Sequence, residues 1–132
     1  MTNSVLIKKK LEHFDKKISV SGDKSISIRW ILLSSLASGL SKAENLLISE
    51  DVLATIKAIR KLGIKIILNR KFCKIYGKGI DGYKYKENLV INAQNSGTLG
   101  RLILGLLVNT PKPIKIIGDK SLSKRDFNRI AE

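Results

Sequence analysis

Apolar residues recur at helical spacing in three stretches of the chain and alternate at strand spacing in several others, which predicts mixed α/β structure. The first helical stretch starts near Lys24 and runs to about Ser38, with Ile28, Ile31, Leu32 and Leu36 as its core face and Gly39 as its stop. A short strand, Lys16 to Val20, precedes it and is broken at Gly22. Ala43 to Ile48 has strand character. Ser49 then caps a second helix that turns Leu53, Ile56 and Ile59 inward and continues through Leu62 to a stop at Gly63. Two further strands are expected at Ile64 to Leu68 and Phe72 to Tyr76, followed by a loop rich in Gly, Lys and Tyr from Gly77 to Glu87. The strand Leu89 to Asn92 and a third helix, roughly Ser96 to Val108, come next. Beyond Pro111 and Pro113 lie a strand at Ile114 to Ile117 and a last helix that opens at Lys124 and reaches Glu132 in mid-pattern. That segment carries no closing Gly or polar cap, so the expectation is that the chain is the front piece of a longer protein.

One self-similarity cuts across these elements. Residues 22–29 read GDKSISIR and residues 118–125 read GDKSLSKR, identical at six of eight positions. Solenoid repeats have periods of about 20 to 50 residues, and the offset here is far longer, so a duplicated larger unit explains it better. The alternative is two unrelated glycine-bearing exits from strands.

Composition narrows the class of protein. With 132 residues, 43% of them hydrophobic, the chain can build a core without disulfide or metal staples. The lone Cys73 has no internal disulfide partner, and the lone His13 has no zinc-ligand spacing around it, which points to a reducing, cytoplasmic setting and no metal. The apolar run Val5 to Ile7 is too short for a secretory signal, and Ile103 to Val108 is too short to cross a bilayer, so no membrane partner is expected. Lys and Arg number 25 against 11 Asp and Glu, a formal charge of +14 that attracts anions. Nucleic acid is the first candidate, but the lysines are scattered, only seven aromatic residues are available for stacking, and no nucleic-acid motif appears. Lys8 to Lys10, Lys16, Lys17, Lys84 and Lys86 are read as solvating exposed faces.

A few cations stand where helix electrostatics disfavours them. Helix N-termini carry free N–H groups and partial positive charge, so they welcome anions. The second helix obeys this, opening with Glu50 and Asp51 and closing with Arg60 and Lys61. The first does not: Lys24 and Ser25 stand at its start, with Arg29 one turn on over the Ser25 face. A phosphate at that helix end would resolve the conflict; alternatively, Arg29 pairs with a carboxylate and Lys24 points into water. At the third helix, Asn95, Ser96, Gly97 and Thr98 combine side-chain caps with a glycine that lets a ligand approach the backbone, and Arg101 follows one turn later. Capping alone accounts for Asn95 and Ser96; Gly97 is the informative residue. Lys124 and Arg125 form a third cationic helix start. The spacing of a P-loop is absent, as are a catalytic triad and a paired-carboxylate motif.

At these residues the chain resembles the enolpyruvyl transferase family, and within it the branch acting on shikimate 3-phosphate. The resemblance runs from Ile18 onward through GDKSISIR, SEDVLATIKAIRKLGIKI (49–66), NSGTLGRLILGLL (95–107) and GDKSLSKR. It implies an α/β fold built from βαβαββ units, incomplete here: residues 1–17 would pack on a second domain and 18–132 would form the first part of the N-terminal domain. It also implies transfer of the enolpyruvyl group of phosphoenolpyruvate to the 5-hydroxyl of shikimate 3-phosphate with release of phosphate, in aromatic amino-acid biosynthesis. No cofactor is implied, and the full-length family member is monomeric. By position, Lys24, Ser25 and Arg29 match shikimate 3-phosphate ligands. Lys24, Asn95, Gly97, Thr98 and Arg125 match the phosphoenolpyruvate site. The family's acid and base carboxylates lie in its second half, so no catalytic residue is assigned here and the chain alone is expected to be inactive. Gln94 stands where the family usually has glycine, Gly100 where methionine is common, and Asp126 where proline follows the arginine, placing a carboxylate that could pair with Arg125. Two other readings stay open: the sister family that uses a UDP-N-acetylglucosamine acceptor, whose reactive cysteine sits in a loop, and a basic non-catalytic nucleic-acid-binding module.

Overall fold

The computed structural model describes residues 4–131 apart from 11 and 14. Two small sheets share one apolar core with three helices. Helix α1 (Lys24–Leu36) opens on Asp23, whose carboxylate accepts the Ile26 N–H at 2.7 Å. Strand β1 (Ser38–Glu44) follows, then helix α2 (Glu50–Lys61), capped by Ser49. Strands β2 (Lys65–Leu68) and β3 (Phe72–Lys78) form an antiparallel hairpin, and β1 pairs antiparallel with the other edge of β3, giving the order β1-β3-β2. The second sheet is a parallel pair, β4 (Leu89–Asn92) and β5 (Ile114–Ile117), joined through helix α3 (Gly97–Leu107). A 3-10 turn (Leu122–Lys124) and a short helix α4 (Asn128–Ala131) end the described chain.

Periodicity explains how these elements close over one another. Ile28, Ile31 and Leu32 of α1, Val52, Ile56 and Ile59 of α2, Ile75 of β3, Ile91 of β4, and Leu99 and Ile103 of α3 are all buried. Each such side chain contributes roughly 1.5–3 kcal/mol relative to exposure. Helix α2 is the simplest case: it is apolar on one face, acidic in its first turn and basic in its last. Helix α1 departs from that pattern, because Ile26 and Leu33 remain 69% and 65% exposed while Ser27, Ser34 and Ser35 are buried. Two of these three hydroxyls have assigned hydrogen bonds. Ser27 Oγ accepts the Leu47 N–H, and Ser35 Oγ donates to the Leu32 carbonyl and shares a hydrogen bond with the Tyr83 hydroxyl at 2.7 Å.

Three expected elements fall elsewhere. Lys16 to Val20 is exposed and forms no strand, since no other strand among the described residues pairs with it. Strand β1 spans Ser38–Glu44, not Ala43 to Ile48, because seven residues of β3 pair with it from Ser38 opposite Lys78 to Glu44 opposite Phe72. Gly39 is thus a strand residue at φ +101°, and α1 stops three residues before it. The last helix does not begin at Lys124: the chain makes a 3-10 turn, extends at Arg125 and restarts at Asn128, whose N–H bonds the Asp126 carboxylate. Glu132 lies outside the described residues.

The two GDKS segments share a backbone device. Asp23 and Asp119 each accept the N–H three residues on with the side chain and the N–H four residues on with the carbonyl: Ile26 and Ser27 in the first copy, Leu122 and Ser123 in the second. A Cβ on either leading glycine would collide, with the Asn45 carbonyl at 2.1 Å for Gly22 and with Leu122 Cδ2 at 2.5 Å for Gly118.

Candidate functional site

Three groups of sequence-derived site residues lie around the openings of α1 and α3. Lys24 Nζ sits 3.1 Å from Asp51 Oδ2, so the first turn of α2 supplies the carboxylate that offsets the misplaced lysine of α1. Lys24 is half exposed and Asp51 mostly covered, which leaves the ammonium accessible from one side. Ser25 is half-buried and Arg29 exposed, with no ion pair to Arg29 among the described residues. The expected convergence of three donors at α1 is therefore only partial, because Lys24 leans toward α2.

Residues at the start of α3 are drawn together more tightly. Ser96 is buried and accepts the Leu99 N–H, while the Gly100 N–H goes to the Ser96 carbonyl. The N–H groups of Gly97 and Thr98 belong to the first turn, which has no intrahelical acceptors to offer them. Arg125 Nη2 donates to Asn95 Oδ1 at 3.0 Å, and Asn95 Nδ2 donates to Asp119 Oδ2 at 2.7 Å. Two guanidinium groups crowd over Gly97: a Cβ there would lie 2.7 Å from Arg125 Nη1 and 3.0 Å from Arg101 Nη1. Arg101 Nη2 bonds the Asp126 carbonyl at 3.2 Å and stacks over the Phe127 ring. Neither arginine is in an ion pair among the described residues. Two cations brought over a helix opening, each hydrogen-bonded to a neutral oxygen, repel each other, and an anion that joins them relieves that repulsion.

Lys124 and Arg125 do not open a helix; Arg125 reaches the α3 opening from an extended segment after the 3-10 turn. The carboxylate of Asp126 caps α4 instead of pairing with Arg125. Gln94 adopts φ +54°, a conformation open to glycine without strain, which accounts for the family's usual residue there. Arg101, Asp51 and Asp119 were not among the assigned ligands. The acids at the start of α2 look like ordinary dipole matching in the sequence, and only the packing of α1 on α2 brings Lys24 to one of them.

A cleft of about 370 Å³ is lined by Glu50, Asp51, Leu53, Lys57, Gln94, Asn95 and Asp119. Asp51, the partner of Lys24, and Asn95, the partner of Arg125, both line it, but Lys24, Ser25, Arg29, Gly97, Thr98 and Arg125 are not among its lining residues, which carry three carboxylates against one lysine. A larger cleft of about 530 Å³ lies behind Gly100, lined by Leu104, Ile116, Ile117, Leu122 and Phe127. Its apolar lining suits packing better than anion chemistry, and it is where the family's methionine at this position would project.

Several comparisons bear on this arrangement. The family model for EPSP synthase (3-phosphoshikimate 1-carboxyvinyltransferase) matches residues 8–132, almost the whole chain. The chain belongs to the EPSP synthase family. A 3-phosphoshikimate 1-carboxyvinyltransferase of Bacillus cytotoxicus is 44% identical over 115 residues, which is 87% of this chain and 27% of that protein. One from Streptococcus pyogenes serotype M2 is 46% identical over 86% of this chain and 26% of its own length. The solved EPSP synthase of Acinetobacter baumannii superimposes with a TM-score of 0.81 at 38% identity, covering 88% of this chain and 26% of that one. The chain thus spans about a quarter of the length of the curated relatives it matches. The other two readings are not favoured. Cys73, the one cysteine of the sequence, is buried on β3 and not in a loop, and burial pushes its thiol pKa up. Among the described residues, no helix is long and apolar enough to cross a membrane.

Proposed function

We propose that the chain supplies anion-holding elements for transfer of the enolpyruvyl group of phosphoenolpyruvate to the 5-hydroxyl of shikimate 3-phosphate, with release of phosphate. The observation that carries this reading is the pair of guanidinium groups, Arg101 and Arg125, gathered over Gly97 at the amide-rich start of α3. Phosphoenolpyruvate brings a phosphate and a carboxylate, which the Gly97 and Thr98 N–H groups, Arg125, Asn95 and Lys24 are suited to hold. Shikimate 3-phosphate lies toward α1, where Lys24, Ser25 and Arg29 meet its phosphate. Lys24 exchanges Asp51 for a phosphate dianion as substrate arrives, since the doubly charged group attracts the ammonium more strongly than one carboxylate.

Transfer needs a proton delivered to the phosphoenolpyruvate methylene, attack by the hydroxyl with loss of its proton, and elimination from the tetrahedral intermediate of phosphate together with a proton of the new methyl group, which restores the carbon–carbon double bond. These residues bind and orient; they hold two mutually repelling anions at reacting distance and stabilise charge that develops on the phosphate. The acid and base come from outside these 132 residues. In this reading, residues 1–17 pack on a second domain, the complete protein is monomeric and cytoplasmic, and nucleic acid is not a partner.

Two measurements test this. A nitrogen-15 NMR titration of the chain with each substrate should give saturable shifts at Ser25, Gly97 and Thr98 that Lys24→Ala weakens. Mixing the chain with an Acinetobacter baumannii enzyme lacking its matching first quarter should restore turnover with wild-type chain and not with Lys24→Ala. Shifts spread over scattered lysines and equal for any anion, or complementation indifferent to Lys24, would refute the assignment.

A further inference from the structure

The second GDKS copy does something the first does not. Asp23 spends Oδ1 on the Ile26 N–H as a helix cap. Asp119 repeats that cap with Oδ1, at 2.7 Å from the Leu122 N–H, and turns Oδ2 to Asn95 Nδ2, also at 2.7 Å. A carboxylate can only accept, so it dictates which end of the Asn95 amide faces it. The other end, Oδ1, is thereby aimed at Arg125 Nη2, 3.0 Å away. Were the amide reversed, its NH2 would face the guanidinium, donor against donor. We propose that Asp119 is a positioning residue of the phosphoenolpyruvate site: by fixing the Asn95 amide it holds the Arg125 guanidinium over Gly97.

The placement of Asp119 is itself well determined. Its N–H donates to the Gln94 carbonyl at 2.9 Å, and the Ala93 N–H donates to the Ile117 carbonyl at 2.8 Å, so the segments before α3 and after β5 are joined on both sides of the network. Asn95, Asp119 and Arg125 are exposed, and such a chain of hydrogen bonds adds little to folding. Its consequence is geometric: it fixes where one cation stands. The Leu122 N–H first, then the Asn95 amide, the Ser121 N–H and the Arg125 charge, hold the Asp119 carboxyl below the usual carboxylate range against a smaller opposing effect of desolvation, so the acceptor stays ionised at neutral pH.

This inference rests on the reading of the α3 opening as a phosphoenolpyruvate site, and its test separates the two. Asp119→Asn keeps an oxygen for the Leu122 cap but gains an NH2 that bonds Asn95 Oδ1 and lets the amide reverse. In the free chain, the Arg125 guanidinium NMR signals should lose their slow exchange and dispersion in Asp119→Asn, while the melting temperature moves little. Phosphoenolpyruvate should bind about tenfold more weakly, the scale of one hydrogen bond to a charged group. Binding of shikimate 3-phosphate should be unchanged. In an Asn95→Ala background, Asp119→Asn should have no further effect on either Arg125 or phosphoenolpyruvate, because the intermediary is gone. An unaltered Arg125 signal in Asp119→Asn, or an effect that persists without Asn95, overturns the proposal. If the wild-type chain binds neither substrate, the functional reading of the isolated chain fails, and the Arg125 signals across the same four variants still decide the role of Asp119.

Discussion

Replacing Gly97 by alanine separates binding from folding at this site. The added Cβ would lie 2.7 Å from Arg125 Nη1, so that nitrogen must back away by about 0.7 Å to reach the 3.4 Å of an ordinary contact. Arg101 Nη1, at 3.0 Å, must give as well. Both obstacles are ends of flexible side chains, and neither is backbone, so the fold accommodates the methyl group. Alanine is also the better helix former, worth up to about 1 kcal/mol at a helical position. The guanidinium, however, leaves its 3.0 Å bond to Asn95 and the space over the helix opening. Losing one hydrogen bond to a charged ligand group costs about 1.5 kcal/mol at the low end, a factor of about ten in affinity. The assay pairs thermal denaturation with calorimetric titration of phosphoenolpyruvate. The expected result is a melting temperature equal to or above that of the parent, with binding weakened by about that factor. Undiminished binding, or a large loss of stability, would refute the placement of Arg125 over Gly97.

Other expectations follow from the same geometry. Lys24→Ala should shift stability by less than about 1 kcal/mol in denaturant titrations, because a half-exposed ion pair is weak, while weakening both substrates. Gln94→Gly should raise the melting temperature by about 2–4 °C by removing left-handed strain at a non-glycine residue, read by calorimetry. Ile75→Ala, at the centre of the core, should lose about 2–5 kcal/mol and leave the chain largely unfolded at 37 °C by circular dichroism. Asp119 has a folded pKa below its ordinary 3.8. The stability it contributes is therefore intact above that value and lost only as pH falls below it through the lowered pKa; carbon-13 NMR titration of its carboxyl should show a midpoint below 3.8.

Much of this protein is local, and local information is legible in the sequence. Ser49 with Glu50 and Asp51, an apolar face, then Arg60, Lys61 and Gly63 specify α2, since caps, dipole matching and helical period act within a few residues. The same holds for α3 and for β2 through β4, whose ends follow glycine, proline and asparagine. The odd position of Lys24 and the bareness of Gly97 are also local, which is why both site regions stand out before any fold is known.

What the sequence left open required partners distant along the chain. SGLSKAE has little strand character of its own and becomes β1 because β3 offers seven residues of antiparallel hydrogen bonding. Lys16 to Val20 has strand character and, among the described residues, no strand beside it. The pairing of Lys24 with Asp51, the presence of Arg101 beside Arg125, and the use of Asp119 to turn Asn95 each join residues 24 to 27 positions apart through packing of α1 on α2 and of β4 on β5. Residue type and spacing determined which groups could hold an anion. Only tertiary packing decided which of them stand together and in what orientation, because hydrogen bonds and charges act over a few ångströms of space, whatever the distance along the chain.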